Sequence, residues 1–326
     1  MRARLPIGVI GVGALGQHHA RHLAQMDGVR LAGVCDIDAA RATRIAGELS
    51  TEGFTELEPL LDRVEAVTVA VPTPAHAEVG LEALGRGIPV LMEKPLTATL
   101  EEADQLIAAA RAHSAQLQVG HIERYNRAVR AAEPYLDGPR YIESQRLAPF
   151  QPRGTDVAVV LDLMIHDLDL VLHLTGGAEA TEVRASGLSV LSSHLDIANA
   201  RVEFSNGGVA LATASRVSRE RVRRLRLFQP NGYLSLDLAS GAGEFMRVRG
   251  GWRPGTGNHL SDVVERMVLE APAADALALE LQSFAHAVRG QREVVVRGEE
   301  GRAALALALR VAAAVRTSPL AVPAHE

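Results

Sequence analysis

LPIGVIGVGALGQHHARHLAQMDGVRLAGVCDID, residues 5–38, decides the fold. An apolar strand over 5–10 runs directly into Gly11-Val12-Gly13-Ala14-Leu15-Gly16. A helix is expected from about residue 14 to 26, and a second strand over 29–35 stops at Asp36. Each glycine has its own task. Gly11 makes the tight turn, Gly13 lets the backbone approach a pyrophosphate, and Gly16 lets the helix pack closely on the strand. The helix start presents N–H groups and its positive dipole end to phosphates, so Gly11, Gly13, Ala14, Leu15 and Gly16 are the expected phosphate contacts. Asp36 lies 20 residues beyond Gly16, where an acid accepts both ribose hydroxyls of an adenosine and repels a 2′-phosphate. That favours NAD over NADP. Without its flanking strands and acid, the same run would read as a glycine-rich turn of some other α/β domain.

Outward from this stretch the pattern repeats. Helices are expected over 38–49, 75–86 and 100–112, and strands over 65–71, 88–92 and 116–120. Strand 65–71, EAVTVAV, is a continuous apolar run, which means both faces are covered, as in a parallel sheet. The alternation predicts a doubly wound α/β Rossmann domain over residues 1–120. Ligands bind at the carboxyl ends of such strands. Pro72, Thr73 and His76 after one strand and Glu93-Lys94 after the next are therefore expected cofactor contacts. The run Gly120-His121-Ile122-Glu123-Arg124 ends the third.

Residues 121–326 read differently. A helix is expected over 157–174, followed by strand-like segments over 181–190, 196–204, 208–216, 221–228 and 232–238. Asn206-Gly207 and Asn231-Gly232 are hairpin turns between neighbours. These features predict an α+β domain with a mostly antiparallel open sheet. Two helices close the chain, over 275–289 with Asp275 as N-cap and over 299–315, and these last helices are able to pack back on the first domain. Residues 250–273 read as loop-rich and fit no element.

Composition bounds the function. The chain has 326 residues, 47% hydrophobic and 22% charged, which suits a two-domain globular enzyme. A net charge of −5 argues against nucleic acid as the main partner. The single cysteine, Cys35, excludes an internal disulfide and falls in a strand expected to be buried, where an inert core thiol is the natural reading. Strand 5–10 leaves no room for a signal peptide and no apolar run is long enough to span a bilayer, so a cytoplasmic protein is expected.

Two clusters carry chemistry. Lys94 follows a strand and precedes Pro95, and a lysine held beside a nicotinamide can stabilise an alkoxide as hydride leaves; position alone equally allows a surface lysine capping a loop. Asp162 and His166 stand four apart on one helix face, with Asp169 and His173 continuing the stripe. His166 can take a hydroxyl proton while Asp162 orients its ring or touches the substrate. The stripe also has metal-binding residue types, or is a plain polar face. No metal is expected, because alcohol oxidation next to a nicotinamide can proceed by acid and base alone. His18 and His22 read as structural histidines.

Taken together, GVGALGQHHA, Glu93-Lys94-Pro95 and Asp162-x-x-x-His166 resemble the family of glucose-fructose oxidoreductase, inositol dehydrogenase and rhizopine catabolism protein (Gfo/Idh/MocA), along nearly the whole chain. The resemblance implies that Lys94 and His166 surround the nicotinamide and the reacting carbinol, with Asp162 assisting. It also implies an open sheet that pairs with another subunit, giving a homodimer or homotetramer.

Finer likeness lies in Gly120-His-Ile-Glu-Arg-Tyr-Asn126, Arg146-Leu-Ala-Pro-Phe150, Arg153-Gly-Thr-Asp156 and LDLMIHDLDL. These look like the subgroup that oxidises the 3-hydroxyl of UDP-N-acetylglucosamine to a 3-keto sugar. The implied substrate residues are His121, Glu123, Arg124, Asn126, Arg146, Arg153, Asp162 and His166. A nucleotide sugar needs cations for its diphosphate, and Arg124, Arg146 and Arg153 are expected in loops near the site; local acids could equally claim any of them. The six arginines from Arg216 to Arg226 suggest the wet face of a strand, or an interface. A dehydrogenase of a free sugar or inositol shares every catalytic residue, and a non-catalytic NAD-binding regulator is the alternative from another class.

Overall fold

The computed structural model describes residues 3–151, 157–251, 253 and 259–317; Arg153 lies outside them. The chain divides into two units, Met1–Ile122 with Asp275–Leu305, and Glu123–Ala274 with Ala306–Glu326.

In the first unit, strands β1 (Leu5–Ile10), β2 (Val29–Cys35), β3 (Gly53–Phe54), β4 (Ala66–Val69), β5 (Val90–Glu93) and β6 (Leu117–Gly120) alternate with helices α1 (Gly16–Gln25), α2 (Ala39–Leu49), α3 (Glu58–Leu61), α4 (His76–Gly85) and α5 (Leu100–Ala112). The strands form one parallel sheet in the order β3-β2-β1-β4-β5-β6. Strand order reverses between β1 and β4, and that reversal opens a crevice at the carboxyl ends of the strands. The core explains the apolar runs, because Ile7, Val9, Val34 and Leu91 from the strands pack with Leu23 and Ile45 from the helices. Helix α9 (Ala276–Val288) adds Leu281 and Phe284 to this cluster. Its N-cap is Asp275, whose carboxylate accepts from the Ala278 N–H at 2.9 Å.

The second unit holds an eight-stranded sheet in the order β14-β13-β12-β11-β7-β10-β9-β8. Its strands are β7 (Tyr141–Leu147), β8 (Ala180–Leu188), β9 (Ile197–Phe204), β10 (Val209–Ser215), β11 (Val222–Gln229), β12 (Gly232–Asp237), β13 (Ala242–Val248) and β14 (Val264–Leu269). Pairing is antiparallel throughout except between β7 and β10. One face is a core of small and branched residues such as Ile142, Val202, Ala212, Leu225, Leu234 and Phe245, all buried. The other presents the alternate residues. Helix α6 (Arg127–Ala132) packs against β12, β13 and β14, and helix α7 (Ile165–Leu174) against β7 and β10. Helix α8 (Leu260–Val263) leads into β14, and the last helix, α10 (Gly298–Thr317), has residues in both units.

Three sequence expectations need correction here. Residues 141–147 form β7 at the middle of the sheet rather than a loop. Their inward positions are Ile142, Ser144 and Arg146, and two buried polar residues erase the apolar alternation that marks a strand. Residues 242–248 and 264–269 form two further strands, the second an edge strand whose Glu265 and Arg266 make it unlike an apolar run. Residues 157–174 are not one uniform helix, because Val160–Met164 is a π-turn that leads into α7.

Candidate active site

The three glycines of the first loop are distinguished by what a side chain would meet. Gly11 has φ +81°, and an added Cβ would stand 2.8 Å from the Ala70 backbone. A Cβ on Gly16 would stand 1.7 Å from the Gly11 carbonyl oxygen. A Cβ on Gly13 would meet nothing within 4 Å, so this glycine borders open space. Two of them serve packing and the third leaves room for a ligand, as a pyrophosphate needs.

Asp36 closes the loop from the other side. Its Oδ2 accepts the Val12 N–H at 2.9 Å and its Oδ1 accepts the Asp38 N–H at 3.0 Å. Arg41 donates through Nη1 to both oxygens at 3.1 Å. Leu15 and Ile37, in the two loops that Asp36 ties together, are 47% and 95% exposed. Large apolar side chains standing in water beside an acid and an open glycine loop fit an adenosine diphosphate moiety. Cys35, just before Asp36, is buried, and burial first, then the Asp36 and Glu82 charges, push its thiol up to about 11.

At the next strand ends, Pro72 is exposed and Thr73 starts a short turn into α4. His76 is buried, with Nε2 2.9 Å from the Val71 carbonyl oxygen and Nδ1 3.0 Å from that of Pro95. Its ring spans the segments that follow β4 and β5, so it positions them instead of facing a ligand. Glu93 ends β5, with Oε1 3.0 Å from His19 Nε2 and Oε2 accepting the Lys94 N–H at 3.2 Å. Burial raises the Glu93 carboxyl, but the His19 hydrogen bond and the charges of His19 and Lys94 outweigh it and hold the group below its ordinary value. Lys94 is half-buried and its peptide bond to Pro95 is cis. His19 escaped notice beside His18 and His22, yet its spacing marks it: it lies on the buried stripe of α1 with Gly16, Ala20 and Leu23, whereas His18 is exposed and His22 lies 3.5 Å from Asp275. His121, just after β6, is buried.

The second unit holds the remaining residues. Glu123 and Arg124 lie in a short 3₁₀ turn, Ile122–Tyr125, and Asn126 caps α6 by accepting the Ala128 N–H at 3.0 Å. Asn126 also donates to Glu123 at 2.9 Å and to the Leu238 carbonyl at 2.8 Å. Arg124 and Arg146 are not loop cations. Both are buried, and both are held by carboxylates of α7. Arg124 makes a bidentate pair with Asp169 at 2.6 and 2.8 Å. Arg146 makes one with Asp167 at 2.9 Å and also donates to Glu123 at 2.8 Å. Burial lowers the Arg146 pKa, and the charges of Asp167 and Glu123 more than offset this, keeping it charged. Drawing either arginine away to a ligand would strand a buried carboxylate, at a cost of about 3–5 kcal/mol.

Asp162 lies in the π-turn and His166 in the first turn of α7, both partly exposed. The wide turn sets their relative direction, and π-turns of this kind gather at functional sites. The carboxylate of Asp162 lies 4.0 Å from the buried Arg216, which also donates to the Val157 carbonyl at 2.7 Å. Arg216 therefore belongs to the interior and not to a wet strand face. Asp169 is committed to Arg124 and His173 is exposed, and no group of three or more metal-binding side chains occurs among the described residues. No helix of the described chain is long and apolar enough to cross a membrane.

Comparison with known proteins extends this picture. Residues 5–121 match the oxidoreductase family with an NAD-binding Rossmann fold named GFO/IDH/MocA, and residues 126–235 match the GFO/IDH/MocA C-terminal domain. The UDP-N-acetylglucosamine 3-dehydrogenase of Acidithiobacillus ferrooxidans is 41% identical over 94% of this chain and 96% of its own. A solved structure of that enzyme superposes with TM-score 0.89 at 40% identity, covering 97% of this chain and 98% of that one. An inositol 2-dehydrogenase of Ralstonia nicotianae is 35% identical over 53% of this chain and 55% of its own. Both halves of the molecule match one family, and the chain belongs to the GFO/IDH/MocA oxidoreductases, with an NAD-binding Rossmann fold in its first part.

Proposed function

We propose that the protein oxidises the 3-hydroxyl of UDP-N-acetylglucosamine to the 3-keto sugar. The observation that carries this is the extent of the likeness. Identity of 41% to the nucleotide-sugar enzyme runs through 94% of the chain, whereas the likeness to the Ralstonia inositol enzyme covers 53%. A substrate preference is encoded largely outside the cofactor domain, so full-length similarity weighs more than similarity of the common half.

When bound at the glycine loop, NAD supplies the acceptor for the hydride that leaves C3. His166 takes the hydroxyl proton as general base and passes it to solvent. Asp162 orients the imidazole or contacts the sugar. Lys94 hydrogen-bonds the same oxygen and stabilises its developing negative charge. Hydride and proton together account for the two hydrogens lost as alcohol becomes ketone. Asp36 fits the NAD ribose and disfavours a 2′-phosphate, an effect that the Arg41 guanidinium paired with it at 3.1 Å partly offsets.

The proposal includes a cytoplasmic enzyme that works as a homodimer or homotetramer. The outer face of the second sheet supports association. Phe228 lies between Tyr141, which it meets edge-on at 5.5 Å between ring centroids, and Tyr233, tilted at 4.7 Å, and Val268 on the edge strand is 68% exposed. Sedimentation should show a dimer or larger; a monomer at micromolar concentration would contradict it.

A substrate deuterated at C3 tests the site of oxidation. The label should appear in the reduced cofactor. Deuterium retained in an oxidised sugar would place the reaction at another carbon.

A further inference from the structure

We infer that Arg223, with Arg221 beside it, holds the diphosphate of the nucleotide sugar, the task for which Arg124 and Arg146 are unavailable. This rests on the nucleotide-sugar reading above and names the residue that gives it specificity.

Leu225 and Leu227 of β11 are buried on the inner face, so Arg223, two residues before Leu225, points to that same side, and Arg221 directly precedes the strand. Val222, Arg224, Arg226 and Phe228 take the outer face. Register agrees, because Arg223 stands opposite Arg146 on β7. Within β11 the arginines are therefore split between the two faces of the sheet, Arg223 inward and Arg224 and Arg226 outward, rather than forming one wet face.

Arg223 differs from its neighbour Arg146 in one respect. The Arg146 guanidinium is saturated by Asp167 and Glu123, whereas that of Arg223 reaches its nearest carboxylate, Glu123 Oε1, only at 3.9 Å. Its side chain is 44% exposed, so solvent, and an anion in it, has access to this arginine on the inner face. Arg146 and Arg221 are the cations, and Glu123 and Asp167 the carboxylates, whose charges act most on Arg223 among the described residues. Burial, Arg146 and Arg221 together lower the Arg223 pKa, against the pull of Glu123 and Asp167. A guanidinium under positive stress gains from an incoming anion, and its planar fork matches phosphate oxygens two at a time.

Its location also fits. Asp167 directly follows His166, and the Asp167–Arg146 pair ties the first turn of α7 to the inner face of β7. Arg223 borders that pair from β11. An anion held there lies alongside the turn that carries His166, which is the relation a diphosphate bears to a sugar ring whose hydroxyl must meet a base.

UDP binding to the NAD-loaded enzyme, measured by calorimetry, tests this. Arg223→Ala should weaken UDP roughly ten- to a hundredfold, the effect of losing a charge-assisted contact. Arg223→Lys should recover part of the loss, since it keeps the charge without the fork. Arg184→Ala, on an exposed part of β8, should bind UDP as the native enzyme does. Native-like UDP affinity in both Arg223→Ala and the more conservative Arg223→Gln would overturn the assignment while leaving the nucleotide-sugar reading in place. A native enzyme that neither binds UDP nor oxidises UDP-N-acetylglucosamine would overturn both.

Discussion

His76 shows how much a single buried side chain can decide. It links the segments that follow β4 and β5, and so fixes the backbone from which Thr73 and Lys94 project. Burial lowers its pKa, and the carbonyls of Val71, Leu96 and Pro95 and the charge of Glu93 offset only part of this. A group whose folded pKa lies below its ordinary value of 6.5 contributes stability above that pH and loses it on acidification. Unfolding free energy in urea should thus decline as the pH falls below about 6.5, and the decline should flatten in His76→Gln. Stability that rose on acidification below that pH would mean the carbonyls hold the ring charged. His166 has a different test at the same scale. If it is the base, His166→Asn should lower kcat by roughly a hundredfold or more and leave NAD affinity almost unchanged. An unaltered rate across the pH range would move the base to another group, His121 being the next in line.

At the scale of elements, the glycine loop separates packing from binding. Gly16→Ala should destabilise the fold, since its Cβ would overlap the Gly11 carbonyl. Gly13→Ala should melt close to the native temperature, because nothing stands within 4 Å of its new atom, yet it should bind NAD at least about tenfold more weakly by filling the space a pyrophosphate needs. Equal NAD affinity in Gly13→Ala, by fluorescence titration, would contradict that role. This loop was legible in the sequence because its function is local: turn, helix start and acid follow one another within 32 residues from Leu5 to Asp36. The antiparallel sheet was legible where its strands alternate, from β8 to β12. It was not at β7, whose buried Ser144 and Arg146 mimic a surface pattern, nor at the π-turn, whose residues have ordinary helical composition. The fate of Arg124 and Arg146 was hidden for a different reason. Their partners Asp169 and Asp167 are 45 and 21 residues away in sequence, and only the fold brings them together. The same distance effect concealed His19, 74 residues from Glu93.

For the molecule as a whole, each unit has its own sheet and its own division of labour. The first carries the cofactor loop, and its chemistry could be read from neighbouring residues. The second carries His166 on a helix braced from beneath by buried ion pairs, and it leaves Arg223 as a solvent-facing cation on the same side of the sheet. Anchoring a remote diphosphate lets binding energy orient one hydroxyl for reaction, so the enzyme should discriminate strongly between a nucleotide sugar and a bare ring. The most direct test is NADH absorbance with UDP-N-acetylglucosamine, N-acetylglucosamine, glucose and myo-inositol compared at equal concentration. UDP-N-acetylglucosamine should exceed every free ring in kcat/KM by roughly a hundredfold or more. Efficient NAD reduction by inositol or glucose, with the UDP-sugar inert, would contradict the account.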